Sequence, residues 1–189
     1  LCNNKPSLCV VSVGNNDASN IYIRNKENAC KYIGMNFRHY YYEEGRCEKE
    51  IVDKINELNN DSTVDGIICQ LPMPDMYDER NILNKISYLK DVDGLTDINI
   101  GHVINGNDGF VPCTPKGIMY LLDFYKIKLK GKHVVVVGRS DLVAKPVFQE
   151  CLKKDATVTI CHSKTKNLGD YTRSCLLYTS PSPRDVEES

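Results

Sequence analysis

Short apolar runs alternate along this chain with longer stretches whose apolar residues recur at helical spacing. The runs Leu8 to Val13, Met35 to Tyr42 and Val64 to Leu71 read as strands. The second is aromatic and partly alternating, and the third stops at Pro72. Between them, Ser19 to Ile33 reads as a helix with Ser19 as its cap and Gly34 as its stop. Glu48 to Asn59 carries Ile51, Val52, Ile55 and Leu58 on one helical face. Asp78 to Ile86 reads as a short helix. A loop-rich stretch from Lys90 to Pro115 follows, with Gly94, Gly101, Gly106 and Gly109. Lys116 to Tyr125 then reads as a helix. The valines Val134 to Val137 read as a fully buried parallel strand. Gly138 breaks that strand, Leu142 to Lys153 is the next helix, and Ala156 to Thr165 alternates before turning polar. Strands alternating with helices predict an α/β protein with parallel sheets.

The pattern divides near Thr114. Residues 1–114 are expected to form one α/β unit, with the loop-rich stretch as the wall of its cleft. Residues 115–175 are expected to form the start of a second, Rossmann-type unit. The closing segment 176–189, LLYTSPSPRDVEES, is rich in Ser and Pro, then acidic, and has no periodicity. It is expected to be a disordered or foreign tail. The chain has no initiator Met and opens almost directly into a strand, so both ends read as cut.

Composition narrows the function classes. The chain has 189 residues, with 24 Lys plus Arg against 25 Asp plus Glu, a net charge of −1. That balance gives no reason to invoke nucleic acid or a membrane surface. No apolar run approaches the ~20 residues that span a bilayer. The 9 cysteines are scattered and none forms a Cys-x-x-Cys. This argues against a disulfide framework and against a zinc site, so no metal is expected. A reducing compartment fits, the cytoplasm first, with a mitochondrial matrix or a plastid looking the same.

Candidate chemistry lies at strand ends. Gly138, Arg139 and Ser140 join a buried strand to a helix, where backbone N–H groups and a positive helix end suit a phosphate. The fingerprint is incomplete, because Ser140 stands where a second glycine is usual. NAD sites place an acid at the end of the second strand to hold the ribose 2′-hydroxyl. Here that corner offers Cys161, His162, Ser163 and Lys164, and Arg139 lies at the turn. A basic, hydroxyl-rich corner suits the 2′-phosphate of NADP. The plainer alternative is a polar strand end that meets only water.

In the first half, Tyr22 and Lys26 lie one helical turn apart on one face. A phenol beside an amine can orient a substrate and move protons. It can equally be a surface pair. Gln70 ends a buried strand, where α/β folds present ligand-binding groups, or it merely caps that strand. Asp91 and Asp93 flank a glycine turn in DVDG. A carboxylate there can accept two parallel N–H bonds from a planar amidine-like edge. It can also be a capping aspartate, or one of an acidic pair that binds water.

Six blocks, in order, resemble the bifunctional methylenetetrahydrofolate dehydrogenase/cyclohydrolase family. They are VGNNDASNIYIRNK (Val13 to Lys26), DGIICQLPMP (Asp65 to Pro74), KDVDGL (Lys90 to Leu95), GFVPCTPKG (Gly109 to Gly117), VVVGRSDLVAKP (Val135 to Pro146) and ATVTICHSKT (Ala156 to Thr165). The family's ASxxYxxxK element is intact from Ala18 to Lys26. The resemblance implies a folate-binding catalytic unit followed by an NADP-binding one. It makes Lys26 the central acid–base lysine, with Tyr22 along the folate and Gln70 tuning the amine. Asp93 would take the pterin's amino edge, and Cys69, Leu71 and Pro72 would line the folate pocket. Gly138, Arg139 and Ser140 would hold the cofactor, Ser163, Lys164 and Thr165 would close on its 2′-phosphate, and Thr114, at the hinge, would touch the nicotinamide. The implied partners are tetrahydrofolate derivatives and a second copy of the chain.

The chain departs from the family's pattern in several places. Ala144 stands where glycine is usual, and Asp17 where proline is common, read here as a loop start. The usual opening helix, the later glycine- and proline-rich folate motif and the remaining nucleotide-domain strands are not found. Two rival readings follow: a short-chain-type dehydrogenase, whose Tyr-x-x-x-Lys normally follows the nucleotide turn, and a non-catalytic folate- or nucleotide-binding fragment.

Overall fold

The most apolar strand must sit in the middle of its sheet, because only there are both faces covered. A computed structural model of the chain describes residues 5–175 and the backbone of 177–179. In it, β1 (Ser7–Val13) lies between β2 (Asn36–Tyr42) and β3 (Gly66–Cys69), all parallel. Cys9, Val10 and Val11 are fully buried. Val10 packs with Ile23 and Ile68, which places α1 (Asp17–Ile33) against this face. Helix α2 (Glu48–Asn60) buries Ile51, Ile55 and Leu58, three of the four positions its spacing singles out. Helix α3 (Glu79–Leu83) is shorter than the Asp78 to Ile86 read from sequence. Asp78 is its cap, and its end tightens into i→i+3 bonds at Lys85 and Ile86.

β3 is met at its outer edge by an isolated parallel bridge from Ile67 to Asp91. Gly66 permits this approach: a Cβ there would lie 2.8 Å from a Val92 methyl. The turn before β3 is tied by Asp61. Its carboxylate accepts from the Thr63 hydroxyl and N–H and from Arg38, which holds it at about 2.

Two local expectations are corrected here. Asn16, not Ser19, caps α1, its side chain accepting from Ser19 N at 3.0 Å. The helix therefore starts at Asp17, which is not a loop residue. An acid and a proline both suit a first helical position, so that departure from the family is mild. Gly34 does end the helix, at φ 78°.

Contacts divide the chain between Ile98 and Asn99, whereas the sequence pattern pointed to Thr114. The difference lies in α4 (Asp97–Asn105), a helix within the stretch read as loop. Its Gly101, three isoleucines and valine are poor or mediocre helix formers, so propensity hides it. Helix α5 (Cys113–Phe124) begins three residues before the expected Lys116. Pro115 falls in its first turn, where a missing N–H costs nothing.

In the second unit β4 (His133–Val137) lies between β5 (Thr157–Cys161) and β6 (Leu177–Thr179), again parallel. Val134, Val135 and Val136 are buried. Helix α6 (Ala144–Lys153) packs Ala144, Val147 and Cys151 with Met119 and Leu122 of α5. Helix α7 (Leu168–Ser174) and β6 were not foreseen. β6 takes three residues of the segment read as a tail. Leu176 and residues 180–189 lie outside the described residues. Among the described residues no helix is long and apolar enough to cross a membrane.

Ile55→Ala is expected to cost about 2–5 kcal/mol by leaving a cavity under α2, measured by urea unfolding. Ser12 and His39 share a 2.8 Å hydrogen bond between β1 and β2, and burial pushes the His39 pKa down. A proton then binds the unfolded chain more readily, so stability is expected to fall as pH drops below about 6.5. His39→Gln should flatten that dependence; an unchanged slope between neutral and mildly acidic pH would refute it.

Candidate active site

The end of β3 and the third turn of α1 are brought together by one hydrogen bond. Gln70 extends the ladder, donating its N–H to Val11 O at 2.8 Å. Its side chain is buried, with 6% of the residue exposed. The amide is oriented from both ends: Nε2 donates to Leu71 O at 2.9 Å, and Oε1 accepts from Lys26 Nζ at 2.8 Å. Lys26 is held on the α1 face that also carries Ser19, Ile23 and Cys30. An ammonium has three donors, so the Gln70 bond leaves Lys26 with hydrogen-bonding capacity in reserve. Tyr22, one turn before it, is 45% exposed.

The KDVDG loop supplies the carboxylate. Lys90 donates to Leu58 O and Asp61 O at the end of α2. Asp91 is buried and turns its carboxylate onto the loop itself, accepting from Leu95 N at 3.2 Å and Thr96 N at 2.8 Å. Asp93 is partly buried and electrostatically coupled to Lys26. Burial raises its pKa, the Lys26 ammonium pulls it back, and Asp91 adds to the rise. Of the two acids left open by the sequence, Asp91 is the one committed to the backbone. Cys69 is buried beside them; desolvation, then Asp91, Asp93 and Glu79, push its thiol to about 12. Leu71 and Pro72 follow on a cis peptide bond, Leu71 partly buried and Pro72 exposed.

The second unit places Gly138, Arg139 and Ser140 after β4 and Ser163, Lys164 and Thr165 after β5, while Thr114 stands apart on α5. Gly138 continues the ladder to Cys161 O at 2.7 Å and has φ 141°, a conformation that favours glycine. A Cβ there would sit 3.3 Å from the Ala144 methyl, so the alanine in place of the family's glycine meets the turn itself. Ser140 closes the turn: its Oγ accepts from Ala144 N at 3.4 Å and its O from Lys145 N at 3.1 Å. Pro146 has no N–H, so the start of α6 keeps few amides for a ligand. Arg139 is exposed. After β5, Thr165 accepts from His162 N at 2.8 Å, leaving Ser163 and Lys164 exposed at the tip of the turn. No acid stands in that turn. Thr114 is exposed in the first turn of α5.

Sequence reasoning missed one contributor to the lysine site. Ser19 donates from Oγ to Leu71 O at 3.2 Å, the same carbonyl that orients Gln70. Its place one face-repeat before Lys26 was visible; its partner on another element was not. Among the described residues no cluster of His, Cys, Asp or Glu could hold a metal ion.

Comparison with known proteins identifies the family to which these two units are similar. Residues 2–93 match the model for the tetrahydrofolate dehydrogenase/cyclohydrolase catalytic domain. Residues 112–178 match the model for that family's NAD(P)-binding domain. The bifunctional protein FolD of Campylobacter hominis is 48% identical over 168 residues, 89% of this chain and 59% of that protein. The crystal structure of the bifunctional methylenetetrahydrofolate dehydrogenase/cyclohydrolase of Campylobacter jejuni superposes with TM-score 0.90 at 42% identity, covering 92% of this chain and 62% of that one. That of the Trypanosoma brucei enzyme, complexed with NADP and an inhibitor, gives 0.89 at 30% identity, covering 94% and 61%. The chain thus spans about three fifths of the length of the relatives it matches.

Alkylation of the native protein at pH 8 is expected to label the exposed Cys47 and Cys113 and to spare Cys69, whose thiol lies at about 12. Peptide mapping reads this out, and prompt labelling of Cys69 would contradict its burial.

Proposed function

This chain belongs to the tetrahydrofolate dehydrogenase/cyclohydrolase family, and on that premise we propose that its protein oxidises 5,10-methylenetetrahydrofolate with NADP and hydrolyses the 5,10-methenyl product to 10-formyltetrahydrofolate. The observation that carries the proposal is the Lys26–Gln70 hydrogen bond, with Asp93 in electrostatic reach of the same ammonium. Folate chemistry is assigned to residues 1–114 and the nucleotide to 115–175. The family-model spans 2–93 and 112–178 support that assignment.

Asp93 is read as the acceptor for the pterin's amino edge. Its raised pKa makes it a more basic carboxylate, and therefore a better acceptor while ionised. Tyr22 lies along the folate, and Cys69, Leu71 and Pro72 border the ring. An inert, uncharged thiol suits a wall that excludes water.

The nucleotide-binding residues fit NADP. Gly138 makes a turn that only glycine adopts easily, and the end of β5 holds no acid to repel a 2′-phosphate. Gly138, Arg139, Ser140 and Thr114 would hold the cofactor, with Ser163, Lys164 and Thr165 at the 2′-phosphate. Bound NADP supplies the hydride acceptor. The chain's contribution to that step is orientation, since the folate nitrogens themselves drive hydride departure.

Hydrolysis needs proton movement. Water adds to the methenyl carbon and gives up both of its protons as its oxygen becomes the formyl carbonyl. One is released to solvent; a C–N bond of the five-membered ring breaks and its nitrogen takes up the other. Lys26 can relay that proton from Nζ. Gln70 holds the amine in place through Oε1, because its NH2 is engaged by Leu71 O. A cytoplasmic homodimer completes the proposal. Free thiols support the reducing compartment, and the dimer rests on the family resemblance.

Lys26→Met in the full-length protein is expected to lower methenyltetrahydrofolate hydrolysis by about 10²–10⁴ while leaving NADP affinity within experimental error. Absorbance of the methenyl substrate reads the rate, and unchanged hydrolysis would falsify the role given to Lys26. Replacing NADP by NAD should raise the cofactor KM at least ~10-fold, the value of one lost charged contact. Equal KM values would reject the reading of the β5 end.

A further inference from the structure

The KDVDG loop holds a carboxylate whose role lies outside the chemistry proposed above. Asp91 is 1% exposed. Burying a charge is costly unless it is hydrogen-bonded. Asp91 meets that condition with the N–H groups of Leu95 and Thr96, at 3.2 and 2.8 Å. Its own backbone is pinned as well: Asp91 N donates to Ser87 O at 3.0 Å, Gly94 N donates to Asp91 O at 3.1 Å, and Asp91 bridges to β3 at Ile67. Gly94 turns the chain with φ 69°. Asp93 lies inside the turn that the Gly94 N to Asp91 O bond closes.

A second grip comes from α3. Arg80 donates to Leu95 O at 3.2 Å and pairs with Asp97. Asn84 donates to Asp97 Oδ2 and accepts from Asp97 N, each at 2.8 Å. Residues 91–97 are thus held from inside by Asp91 and from outside by Arg80 and Asn84.

We propose that Asp91 is a positioning residue for the folate site, its buried carboxylate closing the loop that aims Asp93, with Arg80 bracing the same loop from α3. The inference rests on the folate reading of Asp93. Asp91 touches no substrate in this account; it acts through the loop and through its charge. That charge is one of the causes of the raised Asp93 pKa. The charged groups facing Asp93 are Lys26 from α1 and Asp91 from its own loop. Removing the Asp91 charge therefore makes Asp93 easier to ionise.

Asp91→Asn is close to isosteric, but it turns an NH2 group toward a backbone N–H. In the full-length protein it is expected to raise the KM for methylenetetrahydrofolate ~10-fold, the scale of a lost charged hydrogen bond. The acidic limb of the kcat/KM profile should move to lower pH, and NADP affinity should stay unchanged. A merely structural role would lower the melting temperature without moving that limb. Should Asp91→Asn fail to fold, Arg80→Gln decides. It is exposed, spares Asp91, and should raise the same KM roughly two- to fivefold with kcat unchanged. Wild-type protein without dehydrogenase turnover would overturn the folate reading and this inference with it. Wild-type turnover together with an unaltered KM and pH profile in the folded variant would overturn the inference alone.

Discussion

A 2.8 Å hydrogen bond from Lys26 Nζ to Gln70 Oε1 joins a helix to the end of a strand more than forty residues away in sequence, and the chemistry of the first unit depends on it. An amide can face a lysine with its oxygen or with its NH2, and only the oxygen attracts the ammonium. Leu71 O decides between them by engaging Gln70 Nε2, and Ser19 Oγ shares that carbonyl. The orientation of one amide is thereby set by a backbone group, which is harder to misplace than a side chain. The arrangement is a polar network in which Ser19 Oγ, Lys26 Nζ and Gln70 Nε2 each have an acceptor, the condition under which buried polar groups rigidify a site.

The sheet supplies the rest of the constraint. β1 lies in the middle because its residues are apolar on both faces, and it carries the ladder that Gln70 extends. Gly66 lets Val92 approach β3, so the acidic loop runs beside the same strand that ends in Gln70. The amine and the carboxylate therefore become neighbours through strand pairing and one close backbone approach. The second unit repeats the logic. Its valine strand is central, and its polar candidates collect where β4 and β5 end. In open α/β sheets that is the side on which ligands bind.

The two acids of DVDG show how similar residues divide their work. Asp91 spends its carboxylate on backbone N–H groups, while Asp93 stays within reach of Lys26. Burial raises Asp93, and the ammonium moderates the rise. The thiol beside them has no such compensation and is driven to about 12. One ammonium, two carboxylates and an uncharged thiol thus influence one another at this site.

The strands, the main helices and the strand-end position of Gln70 could be read from the chain, because periodicity and punctuation are local properties. The Tyr22–Lys26 spacing was equally local. The lysine's partner was not, since a hydrogen bond across elements leaves no spacing to find. Ser19 shows the limit most clearly: its position named it a cap, but the helix starts earlier with Asn16 as cap, and the Ser19 hydroxyl donates to Leu71 O instead. Helix α4 was missed because its residues favour other conformations in isolation, and α3 came out short because its last bonds tighten. Which of Asp91 and Asp93 would be consumed by the loop was undecidable from two identical side chains. Sequence determines what each segment tends to become; packing decides which donors remain for chemistry, because a buried polar group goes to whichever partner the fold brings within reach.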